Sequence, residues 1–360
     1  MSGKYNMKVA IVRGKFLNKY EMQFFEPLVK QFDMTAFGSL TSYHDQFAFP
    51  VVKLPSPMDV PDFPYKMSIL NRMFVDAHYL VGLENKLKGF DLVHTAETYF
   101  HYTQQCLDAK KKGYVKKVIA TVLENIPFNN EGIHGRKEFK ARARRELDHI
   151  IALTQKTKAA LLQEGADPKK ITVISHFIDT KRFISATPHH KKLVVLFVGR
   201  FEKEKGVLDF IDAARALRNL AVFRMVGWGS LKKDIPQWIE VRQASYDEMP
   251  SVYQDADIFV APSKPTPTFE EQYCTALLEA QASGLAIVTT RSGGIPENIG
   301  DAGKLVPPGD VGAITDAIRT YILNKNIRVQ YAKKARHRAI TVHDVRIGAK
   351  KLAALYTSLL

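Results

Sequence analysis

The stretch FEEQYCTALLEAQASG, residues 269–284, is a polar and aromatic loop that runs into an apolar helix. Small residues recur along this helix at Ala276 and Ala280, a spacing that predicts close packing against a sheet. A helix that begins near Cys274 or Thr275 points its unpaired backbone N–H groups into the space above the sheet. That end of a helix favours an anion, so the stretch predicts a phosphate-binding edge of an α/β fold.

Two glutamates, Glu271 and Glu279, stand eight positions apart in this stretch, one before the helix and one inside it. Carboxylates accept hydrogen bonds from hydroxyl groups. Beside an anion site, the pair favours a ligand with hydroxyls at one end and phosphate at the other, such as a nucleotide sugar.

The rest of the chain repeats the alternation of strand and helix. At 360 residues it is too long for one ordinary core, so two domains are expected. Strands at 9–12 and 193–198 each run through a glycine into a helix, at 20–32 and 207–217, as nucleotide-binding folds begin. Further strands are predicted at 34–36, 51–54, 92–94, 118–123, 150–153, 171–174, 222–226, 238–241, 258–260 and 286–290, and further helices at 100–112, 137–146, 156–164, 246–254, 312–323, 328–338 and 345–360.

Such alternation is typical of parallel sheets with helices on both faces. The predicted fold class is therefore α/β, with two Rossmann-like parallel-sheet domains facing each other across a cleft. We place the domains at residues 1–180 and 181–345, with 346–360 a C-terminal helix that packs back on the first. A polar stretch at 179–192, with Pro188 and the histidines His189 and His190, is the expected linker.

Composition favours a soluble globular protein, with 46% hydrophobic and 25% charged residues. No run approaches the ~20 apolar residues that a spanning helix needs, and the N-terminus lacks a signal-peptide pattern. The two cysteines, Cys106 and Cys274, lie far apart, which argues against a disulfide framework or a thiolate metal site. A cytoplasmic location is expected.

The net charge of +15 calls for an anionic partner or surface. The segment RKEFKARARR at 136–145 holds six of the basic residues. It is interpreted either as a solvated helix face or as a surface that docks reversibly to an anionic membrane. Nucleic acid is not an expected partner, since no recognition motif or interleaved aromatic residue accompanies the basic runs.

The segment GRFEKEKG at 199–206 follows a predicted strand directly. Arg200 therefore stands at the carboxyl end of that strand, where doubly wound folds bind ligands, and Lys205 opens the next helix. A guanidinium and an ammonium can together hold a diphosphate and neutralise its charge as it leaves. The alternative is that both cations pair with the neighbouring Glu202 and Glu204.

The segments GRFEKEKG, EEQYCTALLE and SGGIPENIGDAGKLVPPGD (292–310) together resemble the donor domain of retaining family 4 glycosyltransferases. These enzymes have the GT-B fold and move a sugar from a nucleotide diphosphate donor without a metal. The resemblance implies that Glu271 lies against the donor sugar's hydroxyls, that Glu279 binds the ribose, and that Arg200 and Lys205 bind the diphosphate. It also implies a nucleotide-sugar co-substrate with no cofactor and no metal, and donor contacts from Gly199, Tyr273, Cys274 and Thr275.

The first half resembles the acceptor domain of that family more loosely, through ITVISHFIDTKRF at 171–183. Gly14 stands alone in the first-strand loop, where members usually have more glycines. Many members have a histidine-containing loop after the fifth strand, whereas here that loop reads ENIPF, with Glu124 and Asn125. The candidate contacts to a glycan or lipid-linked acceptor are Gly14, His94, Glu97 and Glu124, with a buried or edge histidine as the alternative for His94.

Three residues, Arg200, Lys205 and Glu271, are the predicted catalytic set. Glu271 could act as a nucleophile across the sugar ring, as in glycosidases. The resemblance favours same-face attack instead, in which the acceptor hydroxyl enters as the diphosphate leaves. Two alternatives stay open: a nucleotide-sugar epimerase of the same fold, and a non-catalytic nucleotide-sugar or membrane-binding protein.

Two further signals have ordinary structural explanations. The triplet Asp255-Ala256-Asp257 imitates an acidic metal motif, but turn and capping residues explain it, and no metal site is expected. Trp228 follows a strand and resembles the family's loop near the donor base, with core packing as the alternative.

Overall fold

The computed structural model describes residues 7–185 and 192–360 and divides into two units. Unit 1 comprises Met1–Ser175 with Gly348–Leu360, and unit 2 comprises His176–Ile347. Each unit is built on one parallel sheet with helices in the crossovers, so the predicted α/β class with two Rossmann-like domains is confirmed. The predicted linker residues Pro188, His189 and His190 lie outside the described residues.

Unit 1 contains a seven-stranded parallel sheet in the order β3-β2-β1-β4-β5-β6-β7. Its strand order reverses between β1 and β4, the switch point where doubly wound folds place ligands. The strands are β1 (Lys8–Gly14), β2 (Asp33–Ser39), β3 (Val51–Leu54), β4 (Phe90–Ala96), β5 (Val115–Val122), β6 (His149–Ala152) and β7 (Ile171–Val173), and the helices are α1 (Lys19–Met22), α2 (Lys66–Phe74), α3 (Leu83–Lys86), α4 (His101–Lys111), α5 (Arg136–Glu146) and α6 (Gln155–Gln163).

Unit 2 contains a six-stranded parallel sheet in the order β10-β9-β8-β11-β12-β13, which reverses between β8 and β11. The strands are β8 (Val194–Val198), β9 (Val222–Val226), β10 (Glu240–Arg242), β11 (Ile258–Ala261), β12 (Ala286–Thr290) and β13 (Lys304–Val306), and the helices are α7 (Val207–Leu217), α8 (Met249–Gln254), α9 (Thr275–Ala282), α10 (Ile295–Ile299), α11 (Val311–Leu323) and α12 (Lys325–Val342). A last helix, α13 (Val345–Leu359), begins in unit 2 and continues into unit 1.

The central strands contain continuous apolar runs because helices cover both faces of each sheet. In β1, Val9, Ala10, Ile11 and Val12 are all fully buried. In β12, Ala286, Ile287 and Val288 are likewise fully buried. These runs explain why the sequence predicts the central strands well. None of the described helices is long and apolar enough to cross a membrane.

The prediction of one continuous helix over residues 20–32 is wrong. Helix α1 ends at Met22, and Glu26–Lys30 forms a separate 3₁₀-helix with Pro27 in its first turn. Proline has no backbone N–H and cannot continue an α-helix through its interior, so the chain breaks and restarts there. The helix predicted at 246–254 also begins later, at Met249, with Pro250 in its first turn.

Among the described α-helices and strands, four were not predicted: α2, α3, α10 and β13. Helix α2 buries only Leu70, so it lacks the apolar stripe that marks a core-facing helix. The predicted C-terminal helix corresponds to α13, whose residues from Gly348 onward belong to unit 1. There the ring of Tyr356 lies 5.6 Å from that of Phe32.

Candidate active site

The loops after β8, β11 and β12 lie at the carboxyl edge of the unit 2 sheet, beside the reversal of strand order. The loop after β8 carries Arg200 and ends in a 3₁₀-helix, Lys203–Lys205. The loop after β11 carries Ser263, Phe269 and Glu271 and leads into α9. The topology therefore brings residues from distant parts of the sequence to one edge.

Lys205 and Glu271 form the centre of this site. Lys205 Nζ lies 2.7 Å from Glu271 Oε2, and the Ser263 hydroxyl donates to the same oxygen at 2.8 Å. The ammonium also lies 5.1 Å from the centre of the Phe269 ring, a cation–π distance. Glu271 is 6% exposed. A buried carboxylate needs such partners, because desolvation of an unpaired charge is costly.

The position of Lys205 depends on the next residue, Gly206. Gly206 has φ +70°, and a Cβ added to it would lie 1.9 Å from the carbonyl oxygen of Pro262. The loop after β8 therefore packs directly against the backbone that precedes Ser263. Glycine permits this close approach, which sets the lysine beside the glutamate.

Helix α9 begins beside this pair without a side-chain cap. Cys274 occupies the N-cap position with φ 61° and ψ 81°, a left-handed conformation that glycine adopts more readily. Thr275 is the first helical residue, and the free N–H groups of the first turn make this end electropositive. Burial, with the Glu271 carboxylate adding to it, raises the pKa of the Cys274 thiol to about 12, so this cysteine is not a thiolate nucleophile.

Glu279 lies in the second turn of α9 and is 3% exposed. Its Oε2 accepts a hydrogen bond of 2.7 Å from the hydroxyl of Tyr253, on α8. No described residue donates to its Oε1. Burial raises the pKa of Glu279 to about 7, against the opposing effect of the Tyr253 hydrogen bond. The carboxyl thus has an oxygen available for a ligand hydroxyl.

Arg200 stands at the rim of the site, with its side chain 49% exposed. Its guanidinium lies 3.4 Å from Glu204, so the alternative pairing with a neighbouring glutamate holds for Arg200. Lys205 instead pairs with the carboxylate of Glu271. Glu202 instead accepts hydrogen bonds from the backbone and hydroxyl of Ser230.

A second glycine loop closes the rim beside Gly199. A Cβ added to Gly227 would lie 2.0 Å from the carbonyl oxygen of Gly199. The next residue, Trp228, is 62% exposed, and its carbonyl accepts from the N–H of Phe201 at 2.7 Å. The core-packing alternative for Trp228 is therefore wrong. An exposed indole fixed at the carboxyl end of β9 is a surface on which a planar base can stack.

Tyr273 lies behind the site rather than in it. It is buried, and its hydroxyl lies 3.3 Å from Nδ1 of His343. Asn298 donates to the Tyr273 carbonyl, and the His343 ring bonds the Asn298 carbonyl at 2.9 Å. Tyr273 thus fixes the loop that carries Glu271. Sequence reasoning missed Ser263, Tyr253 and Asn298, of which only Ser263, directly beyond a strand, carries a positional signal.

The acceptor-side candidates of unit 1 occupy two settings. Gly14 ends β1 with φ +54°, and a Cβ there would lie 3.2 Å from the Tyr102 ring. His94 is fully buried, with its ring nitrogens 2.6 Å from the Tyr356 hydroxyl and 2.7 Å from that of Thr121. Burial lowers the pKa of His94 and keeps it neutral. These surroundings agree with the alternative that His94 is a core residue.

Glu124 and Glu97 meet at the carboxyl ends of β5 and β4. Glu97 Oε1 accepts from the backbone N–H groups of Leu123 and Glu124, at 2.8 and 3.2 Å. Glu97 has φ 57°, is 4% exposed, and no described residue donates to its Oε2. Burial raises the pKa of Glu97 to about 8, and the Glu124 carboxylate adds to the effect. A strained, buried acid at a switch point marks a candidate functional position.

The basic helix and the acidic triplet both have structural partners. On α5, Arg136 pairs with Asp76 at 2.7 Å, Lys140 with Glu164 at 2.5 Å, and Arg142 with Asp108 at 2.6 Å. Of the triplet, Asp255 pairs with Arg224 at 2.5 Å and Asp257 accepts from the backbone of Val194 at 2.9 Å. Much of the charge of α5 is therefore used inside unit 1.

Comparison with known proteins finds glycosyltransferases. Residues 192–324 match the family model described as Glycosyl transferases group 1, and residues 40–182 match Glycosyltransferase Family 4. The colanic acid biosynthesis glycosyltransferase WcaL of Salmonella typhimurium is 29% identical over 57% of this chain and 55% of its own length. WcaL of Escherichia coli is 26% identical over 69% and 66%. The matches thus span about half to two thirds of these relatives.

The fold has close counterparts among solved structures. Anabaena HepE, solved in complex with UDP and glucose, aligns with a TM-score of 0.79 over 98% of this chain and 100% of its own. Its identity to this chain is 16%, so the likeness is one of fold.

Proposed function

We propose that this chain, a glycosyltransferase homologue with the GT-B fold, transfers a hexose-type sugar from a nucleotide diphosphate donor to a hydroxyl acceptor. The observation that carries the proposal is the Lys205–Glu271 ion pair, joined by Ser263, at the switch point of unit 2. It sets a cation for the diphosphate and a carboxylate for sugar hydroxyls within one hydrogen bond of each other, beside the electropositive start of α9. HepE, which shares the fold, was solved with UDP and glucose.

Different residues bind different parts of the donor. Lys205 and Arg200 bind the diphosphate and stabilise the negative charge that develops on it as the sugar leaves. Glu271 accepts from the sugar hydroxyls, Glu279 accepts from the ribose through Oε1, and Trp228 stacks on the base. Gly199, Cys274 and Thr275 present backbone groups to the diphosphate.

The contacts of Glu271 favour same-face attack, a route that retains the anomeric configuration of the donor sugar. A nucleophilic carboxylate needs a reactive oxygen, whereas Glu271 Oε2 bonds both Lys205 and Ser263. These partners lower the nucleophilicity of that oxygen and hold the carboxylate in place, which suits an anchor for sugar hydroxyls. In same-face attack the acceptor hydroxyl enters as the diphosphate departs, and the phosphate takes its proton. Since cations of the protein neutralise the leaving group, the proposal requires no metal.

A thermal-shift panel of UDP-, GDP- and ADP-sugars on the purified protein tests donor binding. A ligand present at 100 times its Kd adds about 2.7 kcal/mol of stability, so one nucleotide class is expected to raise Tm clearly. No shift with any donor would overturn the proposal.

Transfer is then followed with that donor and a set of hydroxyl acceptors. NMR of the product is expected to show the anomeric configuration of the donor, and EDTA is expected to leave the rate unchanged. An inverted product would contradict the same-face route. Release of free nucleotide diphosphate without any acceptor would instead favour the epimerase.

A further inference from the structure

The first turn of α9 follows a strained residue, Cys274, and a side chain outside α9 fixes the backbone there. Cys274 has φ 61° and ψ 81°, a left-handed conformation that costs a residue with a Cβ more than it costs glycine. These two angles set the direction in which the free N–H groups of the first turn point. The proposed transfer needs those groups to face the diphosphate, and it does not explain what keeps Cys274 left-handed.

The side-chain amide of Asn298, on α10, bonds the backbone on both sides of Cys274. Its Nδ2 donates to the carbonyl of Tyr273 and, at 3.4 Å, to the carbonyl of Cys274. These carbonyls belong to the two planar peptide groups that flank the Cys274 Cα, and the rotations of those planes about the Cα are φ and ψ. One nitrogen bonded to both carbonyls therefore holds both torsion angles of Cys274.

Asn298 is itself held by its side chain and by its backbone. It is fully buried, and its Oδ1 accepts from Gln281 Nε2 at 2.7 Å, which leaves Nδ2 to face the two carbonyls. Its backbone carbonyl accepts from Arg338 Nε at 2.8 Å and bonds the ring of His343 at 2.9 Å. Its backbone N–H donates to the carbonyl of Gly294 at 3.1 Å. A group that sets the geometry of a site needs such support from its own neighbours.

The segment that leads to Asn298 also holds the backbone of Glu271. The Glu271 N–H donates to Ser292 Oγ at 3.4 Å, and the Glu271 carbonyl accepts from the Gly294 N–H at 2.8 Å. Residues 292–298 thus bond the loop before α9 at Glu271 and again at Cys274. One segment sets both the carboxylate proposed for the sugar and the helix end proposed for the diphosphate.

We propose that Asn298 is a positioning residue of the sugar-donor site, which keeps Cys274 left-handed and so directs the first turn of α9 toward the diphosphate. The inference rests on the proposed function, because it names a residue on which the geometry of that site depends. Glycine at position 274 would adopt the same conformation without support. The need for Asn298 therefore arises because residue 274 carries a side chain, and the two positions should be coupled.

Hydrogen exchange of the ligand-free protein tests this coupling in the variants Asn298→Ala, Cys274→Gly and their combination. Exchange over residues 271–280 is expected to be about tenfold faster in Asn298→Ala than in the parent, a factor that corresponds to the cost of a left-handed residue. In the combined variant it is expected to match exchange in Cys274→Gly. Calorimetric Kd values for the sugar donor that the thermal-shift panel selects should follow the same pattern. Asn298→Ala should weaken binding about tenfold in the parent and leave it unchanged in the Cys274→Gly background.

The loss of a buried amide destabilises a protein wherever it occurs, so the test needs a matched control. Gln105 on α4 is buried and bonds the backbone N–H and carbonyl of Leu80 at 2.9 and 2.8 Å. Gln105→Ala is expected to lower the urea midpoint, as Asn298→Ala does, and to keep the parent exchange over 271–280 and the parent Kd. If Asn298→Ala does not fold, Gln281→Leu replaces it, since it removes the donor to Oδ1 and leaves Asn298 in place. The same pattern is then expected in both measurements.

Parent-like exchange and Kd in Asn298→Ala, or in Gln281→Leu where that variant replaces it, would overturn the inference. An equal loss of affinity in the parent and in the Cys274→Gly background would also overturn it, because the amide would then act independently of residue 274. Faster exchange with an unchanged Kd would show that the amide holds the turn without positioning the sugar donor, and would overturn it too. A parent that binds no sugar donor would overturn the proposed function and with it the role of Asn298 in binding. The exchange pattern needs no sugar donor and distinguishes the two failures.

Discussion

Lys205 and Glu271 form an ion pair of 2.7 Å although 66 positions separate them in the sequence. The pair exists because the loops after β8 and β11 emerge side by side where the strand order reverses. Each residue compensates the charge of the other in the ligand-free protein. Under the proposed function, a donor with both phosphate and hydroxyl groups would take up these two partners.

Removal of either charge is expected to slow transfer strongly. In Lys205→Ala the leaving diphosphate loses a charge-assisted contact, and in Glu271→Gln the sugar loses its carboxylate anchor. We expect each to raise the barrier by about 3–4 kcal/mol, or roughly 10²–10³-fold in rate. Steady-state rates with saturating donor measure the effect. Lys203→Ala is the matched control, because Lys203 is exposed in the same short helix and should keep the parent rate.

Donor binding is expected to depend on pH through Glu279. Because burial raises the pKa of this carboxyl to about 7, a rise from pH 6 to pH 8 converts it to the carboxylate that accepts from ribose hydroxyls. Donor Kd, measured calorimetrically, should therefore fall across this range. The variant Glu279→Gln should bind the donor more weakly. Its donor Kd should also lose the part of the pH dependence that comes from Glu279. An unchanged profile in that variant would remove Glu279 from the donor site.

The stability of the protein is expected to fall with rising pH because of Glu97. Its pKa is about 8 when folded, against an ordinary value of 4.5. Between these values the folded state holds a proton that the unfolded chain has lost, so ΔG of unfolding falls by up to about 1.4 kcal/mol per pH unit. Glu97→Gln keeps an acceptor for the Leu123 and Glu124 N–H groups. It should remove the part of the pH dependence of ΔG of unfolding that comes from Glu97. Urea unfolding at pH 5.5, 6.5 and 7.5 measures it.

Exposed Glu138 on α5 supplies the control for that experiment. Glu138→Gln should leave the pH dependence of stability as in the parent. If Glu97→Gln and Glu138→Gln gave the same slope, Glu97 would not be the titrating group.

The backbone at Cys274 leads to a further prediction. A non-glycine residue in the left-handed region costs about 1–2 kcal/mol, while glycine costs about 0.5–1 kcal/mol in chain entropy. Cys274→Gly should thus keep donor binding and raise stability by up to about 1 kcal/mol. Cys274→Val, which adds a β-branch at φ 61°, should lower it. Denaturant unfolding of both variants gives the comparison, and a destabilised Cys274→Gly would mean that the thiol's packing outweighs the strain.

Sequence could predict what is local in the fold. The buried strands read as apolar runs, as at Val194–Val198, and the helix after Cys274 begins where the small residues start. Sequence could not predict α2, because Met67, Ile69 and Met73 are exposed and show no core-facing spacing. It could not predict that Pro27 would restart the helix as a 3₁₀ turn rather than continue it.

The candidate site could likewise be predicted only in part from the sequence. The individual residues Lys205 and Glu271 could be picked out from their positions beside strands and helix. Their partnership could not, because nearest neighbours in sequence suggested Glu202 and Glu204 as the partners of Lys205. The close approach of Gly206 to the Pro262 carbonyl places Lys205 beside Glu271. A contact of this kind between two loops cannot be recognised from the sequence pattern.

The central claim is that the Lys205–Glu271 pair binds the diphosphate and sugar of a nucleotide donor. Calorimetric titration of the donor chosen by the thermal-shift panel into parent, Lys205→Ala and Lys203→Ala proteins tests it most directly. We predict that Lys205→Ala weakens binding at least tenfold, while Lys203→Ala binds like the parent. Equal affinity of Lys205→Ala and the parent, with both proteins folded, would contradict the account.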